Sequence, residues 1–126
     1  MLNTKSVVSL QRDTPARPVL IVTATSYETW LKIWILLTKL DVQYDLVVLD
    51  GLKQQKSVWF QTIHPQQYVP ALIDVENGQR IVLWDSTSIM MHLCRKYDVH
   101  RTLLGEEGIN EAEVLNWTMF HAANFF

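Results

Sequence analysis

The sequence is poor in the devices that small proteins use in place of a core. It has a single cysteine, Cys94, which excludes an internal disulfide framework, a paired-cysteine redox motif and a cysteine-based zinc site. Four glycines and four prolines in 126 residues leave few breaks, so most of the chain is expected to be regular structure. No basic block is present. Eleven Lys and Arg stand against 13 Asp and Glu, a net charge of −2, and the electrostatic footprint of a nucleic-acid binder is missing. The longest apolar-rich run, Trp30 to Leu37, is interrupted by Lys32 and falls far short of a membrane span. Residues 1–17 are mostly polar, and Val7 to Leu10 is too short for a signal-peptide core, so a flexible N-terminal tail on a cytoplasmic protein is expected. His64, His92, His100 and His121 lack any metal-ligand spacing, so no metal site is expected. What is present is a 48% hydrophobic composition, enough for one globular domain with a buried core.

The elements follow from periodicity. The β-branched run Val19-Leu20-Ile21-Val22 predicts a strand buried on both faces. A hydroxyl-rich stretch, Thr23 to Thr29, leads into a helix from about Thr29 to Leu40. Its core stripe is Ile33, Leu36, Leu37 and Leu40. Residues 44–49 predict a second strand, parallel to the first through a right-handed crossover, and Asp50-Gly51 ends it. A short helix over Ser57 to Ile63 stops at Pro65. Residues 71–75 and 79–84 flank Glu76-Asn77-Gly78 and predict an antiparallel hairpin. A helix from Ser86 to about Tyr97 carries Ile89, Met90, Leu93, Cys94 and Tyr97 on one face, which makes Cys94 a core residue. The last helix runs from about Asn110 to Asn124, with Glu106, Glu107, Glu111 and Glu113 around its start, where they suit its dipole. This order, βαβ, helix, ββ, helix, gives an α/β domain with a mixed four-stranded sheet of thioredoxin-like topology and one appended C-terminal helix.

The segments His64 to Asp74 (HPQQYVPALID) and 81–90 (IVLWDSTSIM) carry more than topology. Together they resemble the N-terminal domain of glutathione S-transferases, with Val69-Pro70 opening the third strand and Asp85-Ser86 opening the next helix. The resemblance extends from about Val19 to Tyr97 and includes the Gln-Lys-Ser at 55–57 and Phe60. Asn116-Trp117, Phe120 and His121-Ala122 resemble the start of the family's helical C-terminal domain. The nearest branch is the fungal one that contains the yeast nitrogen-regulator prion protein. On this basis residues 18–99 are expected to form the thioredoxin-like domain, and residues 100–126 a linker and the first helix of a second domain otherwise missing from a truncated chain.

The resemblance implies glutathione as a co-substrate. A cis Val69-Pro70 bond would turn the Val69 backbone outward to pair with the cysteinyl part of the ligand, as an added strand would; the plainer reading is an ordinary strand-starting proline. Ser86 would receive the γ-glutamyl carboxylate at the helix N-terminus, and Asp85 the amino group. Either residue also suits a plain N-cap. Lys56 and Gln67 are the candidates for the glycine end. The family places a hydroxyl or amide where the first strand meets the first helix, to favour the thiolate of glutathione. Here that position falls among Ser26, Tyr27 and Thr29, none in a usual family context, with Glu28 an unfavourable neighbour for a thiolate. They also read as plain loop and cap residues.

Two helices carry more apolar surface than one domain can bury. Trp30, Leu31, Trp34 and Ile35 lie outside the core stripe of the first helix, and Val114, Leu115, Trp117, Met119, Phe120, Phe125 and Phe126 surround the last. A homo-oligomer that covers both is therefore expected. Three functions remain open: a glutathione-dependent enzyme acting on a small electrophile by conjugation or isomerisation; a glutathione-independent isomerase or cyclase of fungal secondary metabolism, using a cavity at the oligomer interface; and a non-enzymatic interaction module.

Overall fold

The computed structural model describes residues 4–124. Strand β1 (Val19–Thr23) is buried along its whole length. It lies inside a four-stranded sheet of order β2-β1-β3-β4, which explains its unbroken apolar run. Helix α2 (Tyr27–Lys39) carries the chain across to β2 (Asp45–Leu49), which pairs parallel with β1 in the register Val19 to Asp45 through Thr23 to Leu49. Strand β3 (Ala71–Glu76) runs antiparallel to β1 and turns into β4 (Gln79–Trp84). Asn77 and Gly78 both have positive φ, 52° and 76°, as a two-residue hairpin turn with the twist of its strands requires. Helix α5 (Ser86–Tyr97) then packs beside α2, and α6 (Ile109–Asn124) follows. This is the thioredoxin-like arrangement that the order of elements predicts.

The core joins Leu20 and Ile21 of β1, Leu72 and Ile73 of β3, Ile33 and Leu37 of α2, and Ile89 and Leu93 of α5. Each such side chain contributes about 1.5–3 kcal/mol by leaving water. Of the expected stripe on α2, Leu40 is only partly buried. Cys94 is buried in the core, and desolvation, with Asp98 nearby, raises its thiol pKa. It is not a poised nucleophile.

Three features differ from the sequence reading. The expected flexible tail contains helix α1 (Thr4–Arg12), whose Leu10 joins the core and whose Leu10 carbonyl accepts from the Arg80 guanidinium. Its apolar residues are too few to suggest a helix until β4 supplies that donor. Helix α3 (Gly51–Gln55) precedes the short α4 (Val58–Gln61). Trp30 is buried, because its indole Nε1–H donates to the Thr25 carbonyl at 3.0 Å and turns the ring inward. Leu31, Trp34 and Ile35 stay exposed on α2. No residue of α6 is fully buried, and Trp117 is 67% exposed. Phe125 and Phe126 lie outside the described residues.

The segment between α5 and α6 is tied down at Asp98. Its carboxylate accepts the backbone N–H groups of Thr102, Leu103 and Leu104 at 3.0, 2.7 and 2.9 Å. Burial works against that charge, but the three donors outweigh it and hold the carboxyl below the usual carboxylate range.

Candidate functional site

A cleft of about 320 Å³ opens where the start of β3, the end of β4 and the N-terminus of α5 meet α2. Volumes of this order, about 300 Å³ and upward, are typical of small-ligand sites. Val69, Pro70, Asp85 and Ser86, proposed from two distant motifs, all line it. The Val69-Pro70 bond is cis. The ladder of β3 begins at Ala71, so Val69 lies ahead of the paired backbone.

Asp85 is the N-cap of α5. It sits at φ 72°, and its Oδ1 accepts from the N–H groups of Thr87 at 2.8 Å and Ser88 at 3.4 Å. Two of the helix's orphan donors are thereby satisfied. No described residue hydrogen-bonds the Ser86 N–H or its hydroxyl, and Ser86 borders the cleft. The helix thus presents one backbone donor, one hydroxyl and its positive end to whatever the cleft holds.

The three hydroxyl candidates separate. Thr29 lines the cleft, with Oγ1 donating to the Ser26 carbonyl at 2.8 Å. Ser26 adopts the left-handed region, φ 59°, with no side-chain cap bond, and is exposed. Tyr27 is 57% exposed and leans on Trp30 at 5.5 Å between ring centroids. Neither Ser26 nor Tyr27 lines the cleft. Gln67 also stands apart: its Nε2 donates to the Ser57 carbonyl at 2.7 Å, and its own carbonyl accepts from Gln55 Nε2 at 3.1 Å. The amide braces the loop before β3. Lys56 holds its Nζ 5.1 Å from the Tyr68 ring centroid, at the rim, since Tyr68 lines the cleft.

Residues not singled out as site candidates complete the walls: His64, Gln66, Tyr68, Trp84 and Thr87 from the two motif segments, Lys32 from α2 and Ala122 from α6. His64 is 4% exposed, with its ring 4.9 Å from Trp84 and 5.6 Å from Tyr68. Its Nδ1 accepts the Gln66 N–H at 3.0 Å, which puts the proton of the neutral imidazole on Nε2. Burial pushes its pKa below the usual value, with Asp85 acting in the opposite direction. Lys32 carried a readable signal, since it stands three residues after Thr29 and so shares its helix face. His64 opens the first motif segment, but its place in the wall depends on its packing against Tyr68 and, at the end of β4, Trp84.

The family-model match fits this geometry: the glutathione S-transferase N-terminal domain matches residues 25–107. The chain belongs to the glutathione S-transferase family. It is 39% identical over 123 residues to the glutathione S-transferase verG of Clonostachys rogersoniana, covering 98% of this chain and 51% of that protein. It is 32% identical over 101 residues to the trimodular acetylaranotin synthesis protein ataIMG of Aspergillus terreus, across 79% of this chain and 11% of the relative. Among solved structures, the glutathione transferase URE2P8 of Phanerochaete chrysosporium, determined with oxidized glutathione, gives a TM-score of 0.75 at 26% identity. That match covers 89% of this chain and 50% of the solved one, and it agrees with the fungal branch that the motifs resemble. The chain spans about half the length of verG and of URE2P8. Among the described residues there is no cluster suited to a metal ion, and no helix is long and apolar enough to cross a membrane.

Proposed function

We propose that this chain binds glutathione in the cleft between Val69-Pro70 and the start of α5, and presents the thiol to a small electrophile for conjugation or isomerisation. The observation that carries the reading is Ser86. Asp85 caps Thr87 and Ser88, while the Ser86 N–H and hydroxyl, without a described partner, border the cleft at a helix N-terminus. A carboxylate is the chemical group that such an end favours. The γ-glutamyl carboxylate fits there, with the Asp85 charge beside the ligand's amino group. The Val69 backbone, ahead of the ladder, suits the cysteinyl unit, and Lys56 beside Tyr68 suits the glycine carboxylate. URE2P8 in complex with oxidized glutathione supports the ligand, and the acetylaranotin synthesis relative supports a substrate from fungal secondary metabolism. The same proposal includes a cytoplasmic protein that assembles with its own copies through α6 and the exposed side of α2.

One observation favours a second reading. The Thr29 hydroxyl is engaged with Ser26, as expected of a site that handles a small molecule without activating a thiol. Calorimetry separates the two. Glutathione should bind in the micromolar-to-millimolar range, about −8 to −4 kcal/mol, and Ser86→Ala should abolish that binding while the protein stays folded. Absence of binding by the unaltered chain would reject the glutathione reading in favour of the second.

A further inference from the structure

Thr29 and Lys32 lie three residues apart on α2, so their side chains share one face, and both line the cleft. The hydroxyl is already donating, at 2.8 Å, to the Ser26 carbonyl. Lys32 is the one lysine or arginine among the described residues that line the cleft. Its Nζ lies 3.4 Å from His121 Nε2 on α6. An ammonium only donates, so in this contact the ring nitrogen is the acceptor. His64, the other titratable base in the walls, is kept neutral by burial. Asp85 is the carboxylate that acts on Lys32, and its Oδ1 is engaged in capping α5. Lys32 is half-buried, and desolvation lowers its pKa with Asp85 opposing. A cation that has lost part of its hydration gains more from an anionic partner than one in open water.

We propose that Lys32 is a catalytic residue of this cleft, whose ammonium holds the sulfur of bound glutathione as the thiolate, a task the family resemblance assigns to a hydroxyl or amide where the first strand meets the first helix. The inference rests on the glutathione reading. The S–H bond breaks with its electron pair left on sulfur, the proton passes to water, and nothing is oxidised or reduced. Thr29 then acts on the backbone at Ser26, shaping the turn into α2, and the charge needed to stabilise the thiolate comes from one turn further along the helix.

The test uses the whole chain with Lys32→Met and Lys32→Arg, following thiol ionisation of bound glutathione by the ultraviolet absorbance of the thiolate across pH. Calorimetry with S-methylglutathione, which has no ionisable thiol, runs in parallel. Lys32→Met should cut the thiolate fraction near neutrality about tenfold, equivalent to about one pKa unit. Lys32→Arg should retain most of it, and S-methylglutathione should bind all three proteins equally. If Lys32→Met does not fold, Lys32→Gln replaces it. Unchanged ionisation in the charge-free variant overturns the inference and leaves the glutathione reading standing. Loss of S-methylglutathione binding in that variant also overturns it, by making Lys32 a partner of a ligand carboxylate. If the unaltered chain binds no glutathione, both readings fall.

Discussion

Oδ1 of Asp85 accepts the backbone N–H of Thr87 at 2.8 Å, so the residue that edges the cleft is also the one that starts α5. Replacing it therefore has two separable effects. Asp85→Ala should cost about 0.5–2 kcal/mol of stability by uncapping Thr87 and Ser88. Asp85→Asn keeps an acceptor at the same place and should cost little, because asparagine caps about as well as aspartate. Both should weaken glutathione binding if the carboxylate meets the ligand's amino group. Urea titration and calorimetry on the two variants check this, and equal stability losses would mean that charge, not capping, is what Asp85 supplies.

Acid should destabilise the fold in two stages. His64 is kept below its usual pKa of 6.5, chiefly by burial. The unfolded chain therefore takes up that proton first, and the stability contribution, complete above about 6.5, is lost as pH falls toward the lowered value. Asp74 works lower. It is 1% exposed and accepts from His92 Nε2 at 2.8 Å, Lys96 Nζ at 3.2 Å and the Tyr97 hydroxyl at 3.0 Å. Burial opposes its charge, but these donors and the Val75 backbone outweigh that and hold it below 3.8. Its contribution is present above 3.8 and is lost as pH drops through its lowered pKa, with Asp98 following the same rule. His64→Phe should remove the upper stage and keep the lower. Asp74→Asn should cost about 1–3 kcal/mol at neutrality, since it leaves the part-buried donors of His92, Lys96 and Tyr97 facing an amide. Chemical denaturation across pH tests both, and a single-stage acid profile for the unaltered chain would count against the assignment.

Much of this was legible in the sequence where one local rule decided the outcome. The Asn77-Gly78 turn, the uninterrupted β1 and the bounds of α5 each follow from spacing or turn chemistry within a few residues. Val69, Pro70, Asp85 and Ser86 could be placed in one cleft because one motif opens β3 and the other joins the end of its antiparallel partner β4 to a helix, at the same end of the sheet. The losses share a different cause. α1 is held by Arg80, 70 positions away from Leu10 in the chain, and Trp30 turns inward through a carbonyl outside its helix. Gln67 has the right residue type beside the cis bond but spends its amide on Ser57. His64 packs in the cleft wall against Trp84, 20 positions away in the chain, at 4.9 Å between ring centroids. Residue type named the candidates, and tertiary contacts chose among them.

Gly105 is where the loop meets α6. Its φ is 75°, and a Cβ there would stand 2.9 Å from the Cβ of Asn110. Its N–H donates to the Arg101 carbonyl at 2.8 Å, while Arg101 Nε donates to the Gly105 carbonyl at 2.6 Å and Nη2 to Glu111 at 2.8 Å. Gly105→Ala meets both a steric and a left-handed penalty, so a loss of about 1–2 kcal/mol or more is expected. The loss should be concentrated at α6. Hydrogen exchange should show faster exchange there than in β1, and uniform acceleration through the chain would mean that the loop does not act on α6 in particular.

Trp117 and Phe120 form an edge-on pair on α6, 5.9 Å between centroids, and both are exposed, as is Met119. On α2, Leu31, Trp34 and Ile35 form a second apolar surface, with Ile35 59% exposed. Isolated apolar residues on a surface need no explanation, but two exposed apolar groups with aromatic rings are the kind of surface that the proposed assembly with further copies would cover. Light scattering on this 126-residue chain should therefore give a mass above the 14.7 kDa of one copy. Trp117→Glu should return it to one copy while changing the stability of each fold by no more than about 0.5 kcal/mol, as for other exposed positions. If Trp34→Glu dissociates the assembly as well, both helices lie in the contact; if it does not, α6 alone carries it. A monomeric chain at micromolar concentration would refute the assembly outright and leave these two faces without a partner from the same sequence.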